Sequence, residues 1–174
     1  MSKYQLRPAT AADQDLLRHM LHLAIFVPPG MEPPPASIIA DPAIARYAAH
    51  WGQRPGDLGL VASESGHDAG AAQDIGAVQG IGAAQDIGAA WLRYFTTDEP
   101  GFGFVDAATP ELTIAIEPAH RGQGVGTQFM AQLFQDAGGP VSLSCDPRNP
   151  AYRLYRRFGF APVPGNERTL LRCS

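Results

Sequence analysis

Three glycines alternate at Gly122, Gly124 and Gly126 inside the stretch Arg121-Gly122-Gln123-Gly124-Val125-Gly126-Thr127. The stretch falls where a short apolar run, Leu112 to Ile116, bends at Pro118 and gives way to Phe129, Met130, Leu133, Phe134 and Ala137 at helical spacing. Glycine lacks a Cβ, so a ligand can approach its backbone closely, and the first N–H groups of a helix have no intrahelical acceptor. Together with the helix dipole, those donors make an anion site suited to a phosphate or pyrophosphate.

Three kinds of glycine loop compete for this pattern. A P-loop needs Gly-Lys-Ser/Thr to reach phosphates and metal. Here Gly126-Thr127 has no preceding lysine, and the only lysine in the chain is Lys3. A dinucleotide fingerprint needs G-x-G-x-x-G, with an acidic residue roughly 20 positions further on. Asp146 follows a strand at about that spacing, but Thr127 occupies the place of the third glycine, and too little chain follows Asp146 for the remaining parallel strands. The third kind is a coenzyme A loop.

The elements that would position this turn can be read along the chain. Tyr4 to Arg7 is a short strand. Thr10 caps a helix whose apolar face is Leu16, Leu17, Met20, Leu21 and Ala24, with His19 and His22 beside it as surface groups. Val27 to Pro35 contains five prolines and must be an extended loop. Asp41 and Pro42 open a second helix, with Ile44, Ala48 and Trp51 on one side and Gly52 as its end. Leu58 to Ala62 and Gly88 to Phe95 are strands. Between them, Gly70 to Ile87 holds three near-identical hexapeptides. Three rungs are too few for a parallel β-helix, so the spacing predicts a lengthened low-complexity hairpin loop over 66–87. After the glycine turn and its helix, Val141 to Cys145 is a strand. Asn149-Pro150 opens a last helix with Ala151, Leu154, Tyr155 and Phe158 on one face, and Phe160 to Val163 with Thr169 to Arg172 form a terminal hairpin. The order β-α-α-β-β-β-α-β-α-β-β predicts an α/β (α+β) domain, a mixed sheet with helices on its faces, over residues 1–174.

Composition narrows the function classes. A net charge of −4 disfavours nucleic acid as a partner. The two cysteines, Cys145 and Cys173, show neither a disulfide framework nor metal-ligand spacing, so no metal is expected and reduced thiols in a cytoplasmic protein are. No apolar run is long enough for a membrane span, and the polar start lacks a signal-peptide core.

The glycine segment resembles the acetyl-CoA signature of the GNAT N-acetyltransferase superfamily, Arg/Gln-x-x-Gly-x-Gly/Ala. A second stretch, Asn149-Pro150-Ala151-Tyr152-Arg153-Leu154-Tyr155-Arg156-Arg157-Phe158-Gly159-Phe160, is similar to that family's Asn…Leu-Tyr…Gly-Phe helix. Leu6 to Thr10 and Ile87 to Leu92 also suit its layout. The resemblance implies a mostly antiparallel sheet of six to seven strands with about four helices, splayed at the strands on either side of the cofactor-binding helix. It implies acetyl-CoA as co-substrate and acetyl transfer to a primary amine of a small molecule or peptide, by direct attack in a ternary complex. A CoA-responsive binding module without turnover is the alternative, and homodimers are common in the family.

The resemblance also assigns residues. The backbone of Ile114, Ala115 and Ile116 would pair with the pantetheine arm. The N–H groups from Arg121 through Gly122, Gln123, Gly124 and Val125 to Gly126 would hold the pyrophosphate, with the Thr127 hydroxyl. Asn149 would hold the arm from the other side, with Tyr152 a cofactor or packing contact. Tyr155 would give a hydrogen bond or proton to the departing thiolate. A lysine-like amine needs about 4 kcal/mol to deprotonate near neutral pH, so a base is useful. Glu111 is the candidate, with Glu117 and His120 behind it and ordered water as the alternative. A strand N–H, that of Ile114 or Ile116, would meet the oxyanion. Arg148, Arg153, Arg156 and Arg157 form a basic helix, and Cys145 reads as a packed thiol.

Overall fold

Burial in the strands follows their place in the sheet. β3 (Asp86–Arg93) is buried from Ile87 onward on both faces, as a central strand covered by helices on each side must be. The computed structural model describes residues 3–64 and 85–173. In it, β1 (Tyr4–Pro8), β2 (Leu58–Glu64), β3, β4 (Glu111–Ile116), β5 (Val141–Ser144), β6 (Ala161–Val163) and β7 (Asn166–Arg172) form one sheet in the order β1-β2-β3-β4-β5-β7-β6. Neighbours are antiparallel except β4 and β5, which run parallel. The mostly antiparallel sheet of seven strands, with helices α1 (Gln14–Ala24), α2 (Pro42–Ala45), α3 (Val125–Ala137) and α4 (Tyr152–Arg157), is the predicted architecture.

Side chains alternate along β4 and so divide the core in two. Leu112, with Ile114 and Ile116 packed at its margin, joins Val125, Phe129, Met130, Leu133, Leu143, Tyr155 and Phe160 on one side. Ala115 joins Leu17, Met20, Tyr47, Trp51, Trp91 and Phe95 on the other. Each fully buried aromatic or large aliphatic side chain contributes about 1.5–3 kcal/mol. β4 is therefore held from both faces, which fixes the strand on which the candidate site is built.

The second helix is shorter than the sequence predicts. α2 spans only Pro42–Ala45, and the chain continues in turns toward Gly52, with His50 in the left-handed region at φ 53°. The reason is competition for carbonyls. Arg93 donates to the Arg46 and Ala49 carbonyls, both at 2.8 Å, and Trp91 Nε1 donates to the Tyr47 carbonyl at 2.8 Å. A continuing α-helix would have used those acceptors for its own i→i−4 bonds.

The hairpin loop expected over 66–87 lies, from residue 66 to 84, outside the described residues. β3 begins inside the last repeat copy, at Asp86. Among the described residues no helix is long and apolar enough to cross a membrane.

Candidate active site

The sheet opens at β4. β3 and β4 are paired from Gly88↔Ile116 to Arg93↔Glu111, whereas β4 and β5 share the single register pair Glu111↔Ser142. Parallel pairing stops at the first residue of β4. Beyond it, the side of Leu112 to Ile116 turned toward β5 carries backbone donors and acceptors without a strand partner. Ile114 and Ile116 turn their backbone groups to this side, whereas those of Ala115, expected to join them, face β3, where its register partner is Ala89.

The glycine turn closes the wide end of the opening. Pro118–His120 forms a single 3-10 turn, and α3 starts at Val125 with Gly124 as its N-cap at φ 89°. Gly122 is also left-handed at φ 73°, and a Cβ built on either glycine would meet nothing within 4 Å. These two glycines are required by backbone shape, on a face open to a ligand. Gly126 differs: a Cβ there would lie 3.0 Å from Leu154 Cδ2 and 3.6 Å from Ile116 Cδ1, so its smallness lets α3 approach both α4 and β4. Among the described residues, the backbone N–H groups from Gly122 to Thr127 meet no acceptor; the first to find one is Gln128, which donates to the Gly124 carbonyl at 3.1 Å. Thr127 is exposed beside them, while the Val125 side chain is core.

Two side chains of the turn, both exposed, are engaged by the protein itself. Gln123 Oε1 accepts from Tyr4 Oη at 2.6 Å and from Lys3 Nζ at 2.9 Å, and its Nε2 donates to the Ala119 carbonyl at 2.9 Å. Tyr4 Oη also lies 3.2 Å from His120 Nδ1. Arg121 Nε donates to the Ile116 carbonyl at 2.9 Å, tying the turn to the end of β4. The side chains of Gln123 and Arg121 thus shape the turn; the Gln123 N–H is left without an acceptor, whereas the Arg121 N–H, expected to join the anion site, donates to the Pro118 carbonyl at 3.3 Å.

Across the opening, α4 presents Tyr155. It is 7% exposed, its ring lies 6.0 Å from that of Phe160, and its hydroxyl has no hydrogen-bond partner among the described residues. Burial, then the neighbouring Cys145, pushes its pKa well above the ordinary tyrosine range, so it stays protonated. Cys145 is itself pushed up to about 11 by burial and by Asp146, which leaves a neutral thiol. Asn149 Oδ1 accepts from Ala151 N at 2.9 Å, a cap on the entry to α4, and its amide nitrogen has no partner among the described residues. Tyr152 is half-buried against the core. Arg148 is spent on Asp146, and Arg153, Arg156 and Arg157 are solvated.

At the narrow end of the opening stands Glu111, 2% exposed. Its Oε1 accepts from Tyr47 Oη at 2.7 Å and from Gly103 N at 2.9 Å. Its Oε2 has no partner. That oxygen faces Gly101, where a Cβ would collide with it. Burial raises the Glu111 pKa to about 7, against the opposing effect of the Tyr47 and Gly103 donors. Ser142, the register partner of Glu111, also has a buried hydroxyl without a partner. Glu117 pairs with His19 at 2.7 Å and His120 with Tyr4. Both lie near the far end of β4, about 20 Å of strand from Glu111.

The structure therefore sets the glycine turn at one end of the opened stretch of β4 and Glu111 at the other, with Tyr155 buried in the core on the Leu112 side of that strand. It separates Glu117 and His120 from Glu111. Sequence reasoning misses Tyr47, which lies in a segment read as a plain amphipathic helix, and Gly101 and Gly103, which sit in an unmarked turn region. No local spacing signals these partners. It also misses Tyr4, whose hydroxyl holds the glycine turn. Among the described residues, no group of three or more potential metal-ligating side chains gathers.

Residues 61–162 match the family described as the acetyltransferase (GNAT) domain. No curated protein matches the sequence. Among solved structures, a phosphinothricin acetyltransferase of the GNAT superfamily from Sinorhizobium meliloti, in complex with acetyl-CoA, is 18% identical with a TM-score of 0.58, over 98% of this chain and 86% of that one. A GNAT family acetyltransferase from Brucella melitensis, also in complex with acetyl-CoA, is 19% identical with a TM-score of 0.55, over 98% and 87%. An N-acetyltransferase from Staphylococcus aureus is 17% identical with a TM-score of 0.57, over 98% and 95%. At these identities the likeness is one of fold, and it extends over nearly the whole chain. With more than half of the sequence matched by the family, and the sheet opened beside a glycine turn as described, the chain belongs to the GNAT acetyltransferase family.

Proposed function

We propose that the protein transfers the acetyl group of acetyl-CoA to a primary amine of a small molecule or peptide, by direct attack in a ternary complex. The observation that carries this reading is the run of acceptor-free N–H groups from Gly122 to Thr127, set at the wide end of an opened β4–β5 pair. That donor array suits a pyrophosphate, and the backbone groups of Ile114 and the Ile116 N–H, turned away from β3, suit an amide-bearing arm lying along the strand. The amide nitrogen of Asn149 faces no competing acceptor and can hold the arm from the α4 side. The Thr127 hydroxyl can add to the phosphate contacts, and Tyr152 can pack against the cofactor. When bound, acetyl-CoA supplies an activated thioester carbonyl.

The chain's own residues then have three tasks. Tyr155, protonated and without a partner, donates to the sulfur as the thiolate departs. A strand N–H at Ile114 or Ile116 stabilises the developing oxyanion. Glu111 accepts the proton of the amine through Oε2, and its pKa of about 7 leaves it about half ionised at neutrality. Gly101 covers Oε2. The same cover is what favours the second reading, a CoA-responsive binding module without turnover. The packed, neutral thiol of Cys145 argues against an acyl-enzyme. The two free cysteines suit a reducing, cytoplasmic setting.

The test is an acetyl-transfer screen across amino acids, polyamines, aminoglycosides and peptide N-termini, read as free CoA released. A responsive amine giving intersecting double-reciprocal plots supports the reading. Acetyl-CoA binding without CoA release from any amine supports the binding module instead.

A further inference from the structure

We propose that Tyr47 is a positioning residue for Glu111: its hydroxyl fixes Oε1 and leaves Oε2 as the one proton-accepting atom of that carboxylate. The inference rests on the acetyl-transfer reading above and deepens it.

The geometry around Tyr47 is over-determined in a way that core packing does not require. Its hydroxyl donates to Glu111 Oε1 at 2.7 Å and accepts from Phe102 N at 2.5 Å, so both its hydrogen-bonding roles are filled by the site. Gly103 N donates to the same Oε1 at 2.9 Å. One carboxylate oxygen takes two donors and the other takes none. The Tyr47 ring is held between Phe95, at 4.8 Å between centroids, and Phe102, stacked at 6.0 Å and 10°.

The backbone beneath Tyr47 is held as firmly. Trp91 Nε1 binds its carbonyl, and Arg93 binds the carbonyls of Arg46 and Ala49 on either side. Arg93 is anchored in turn by Asp57, which accepts from its Nε at 2.9 Å and from its Nη2 at 2.8 Å, with both side chains sealed from solvent. These contacts end α2 early and leave Tyr47 on a rigid turn aimed across β4.

No other charge competes for Glu111. From β3, Arg93 is its register partner but is spent on Asp57 and two carbonyls. From the α2 segment, Arg46 donates to the Pro42 and Pro100 carbonyls. From β5, the register partner is Ser142, which does not titrate. The segment from Gly101 to Gly103 offers only backbone apart from the Phe102 ring. Tyr47 and Gly103 N are therefore the donors that stabilise the ionised carboxylate.

Two readouts test this in the full chain. One is the titration of the Glu111 carboxyl by carbon NMR, assigned by its loss in Glu111→Gln. The other is the pH dependence of kcat with acetyl-CoA and the best amine of the screen. In Tyr47→Phe the ring stays and one donor to the carboxylate goes. The Glu111 midpoint is expected to rise by about one pH unit, and the ascending limb of kcat to move with it. The rate then falls about tenfold below the new midpoint and recovers above it. A merely structural role would lower activity equally at every pH.

If Tyr47→Phe leaves the midpoint in place, or turns over with an unshifted limb, the positioning role is overturned while acetyl transfer stands. If wild-type protein acetylates no amine, acetyl transfer falls and the positioning role with it. Should Tyr47→Phe not fold, 3-fluorotyrosine at position 47 is the second variant. As a stronger donor of nearly the same shape, it is expected to lower the midpoint, and an unchanged midpoint overturns the proposal.

Discussion

Tyr47 and Glu111 stand 64 positions apart in the chain and share a buried 2.7 Å hydrogen bond. The bond joins the turn after α2 to the first residue of β4, at the point where β4 and β5 part. It therefore couples the turn after α2 to the strand expected to hold the thioester.

Replacing Tyr155 by phenylalanine removes a hydroxyl and little volume. The proposed acid role predicts a fall in kcat of about a hundredfold with acetyl-CoA affinity unchanged. Stopped-flow CoA release alongside calorimetric binding checks it. An unchanged kcat would remove Tyr155 from the chemistry.

Glu111 should make stability depend on pH in an unusual direction. Its pKa is raised by burial from 4.5 to about 7, so between those values the folded state binds more protons than the unfolded. The protonated form favours folding below pH ~4.5, and that contribution is lost as pH rises through about 7, by roughly 3 kcal/mol in all. Glu111→Gln carries no such term. Its melting temperature relative to wild type should therefore climb between pH ~5 and ~8, and a flat difference would contradict the buried, perturbed carboxyl.

The glycines of the turn should divide by role. Gly124→Ala forces a side chain into φ 89° where no atom lies within 4 Å, so its cost of about 1 kcal/mol is backbone strain. Distorting the donor array should also weaken acetyl-CoA binding by about tenfold. Gly126→Ala meets the flexible end of Leu154 at 3.0 Å and sits in a helix. It should change stability by less than about 1 kcal/mol and leave binding near wild type. Calorimetry on the two variants distinguishes them.

The sealed pair of Arg93 and Asp57 is a folding determinant. Asp57→Asn leaves a buried guanidinium without its counter-charge and should destabilise by about 3–5 kcal/mol. Denaturant unfolding measures it. Less than about 1 kcal/mol would mean that the carbonyls of Arg46 and Ala49 suffice to hold the charge.

Much of this protein was legible locally. Period-two and period-3.6 patterns placed the strands and α1, α3 and α4, because each such pattern reflects one face buried against one neighbour. The glycine turn was legible because left-handed backbone and free helix-start donors are properties of a few consecutive residues. The early end of α2 was not, because Trp91 and Arg93 take its carbonyls and both lie on β3, more than forty positions away. For the same reason Gln123 reads in the sequence as one more cofactor contact, although Tyr4, 119 positions earlier, holds its side chain by a hydrogen bond.

By itself, then, the sequence determined the order of elements, the phosphate-type turn and the family, since these rest on short-range periodicity and on motifs of adjacent residues. Only the tertiary structure decided where the sheet opens, which oxygen of Glu111 is left free, and that Tyr47 stands beside it. Those outcomes depend on pairings between distant segments, where burial leaves one carboxylate oxygen bonded and the other bare.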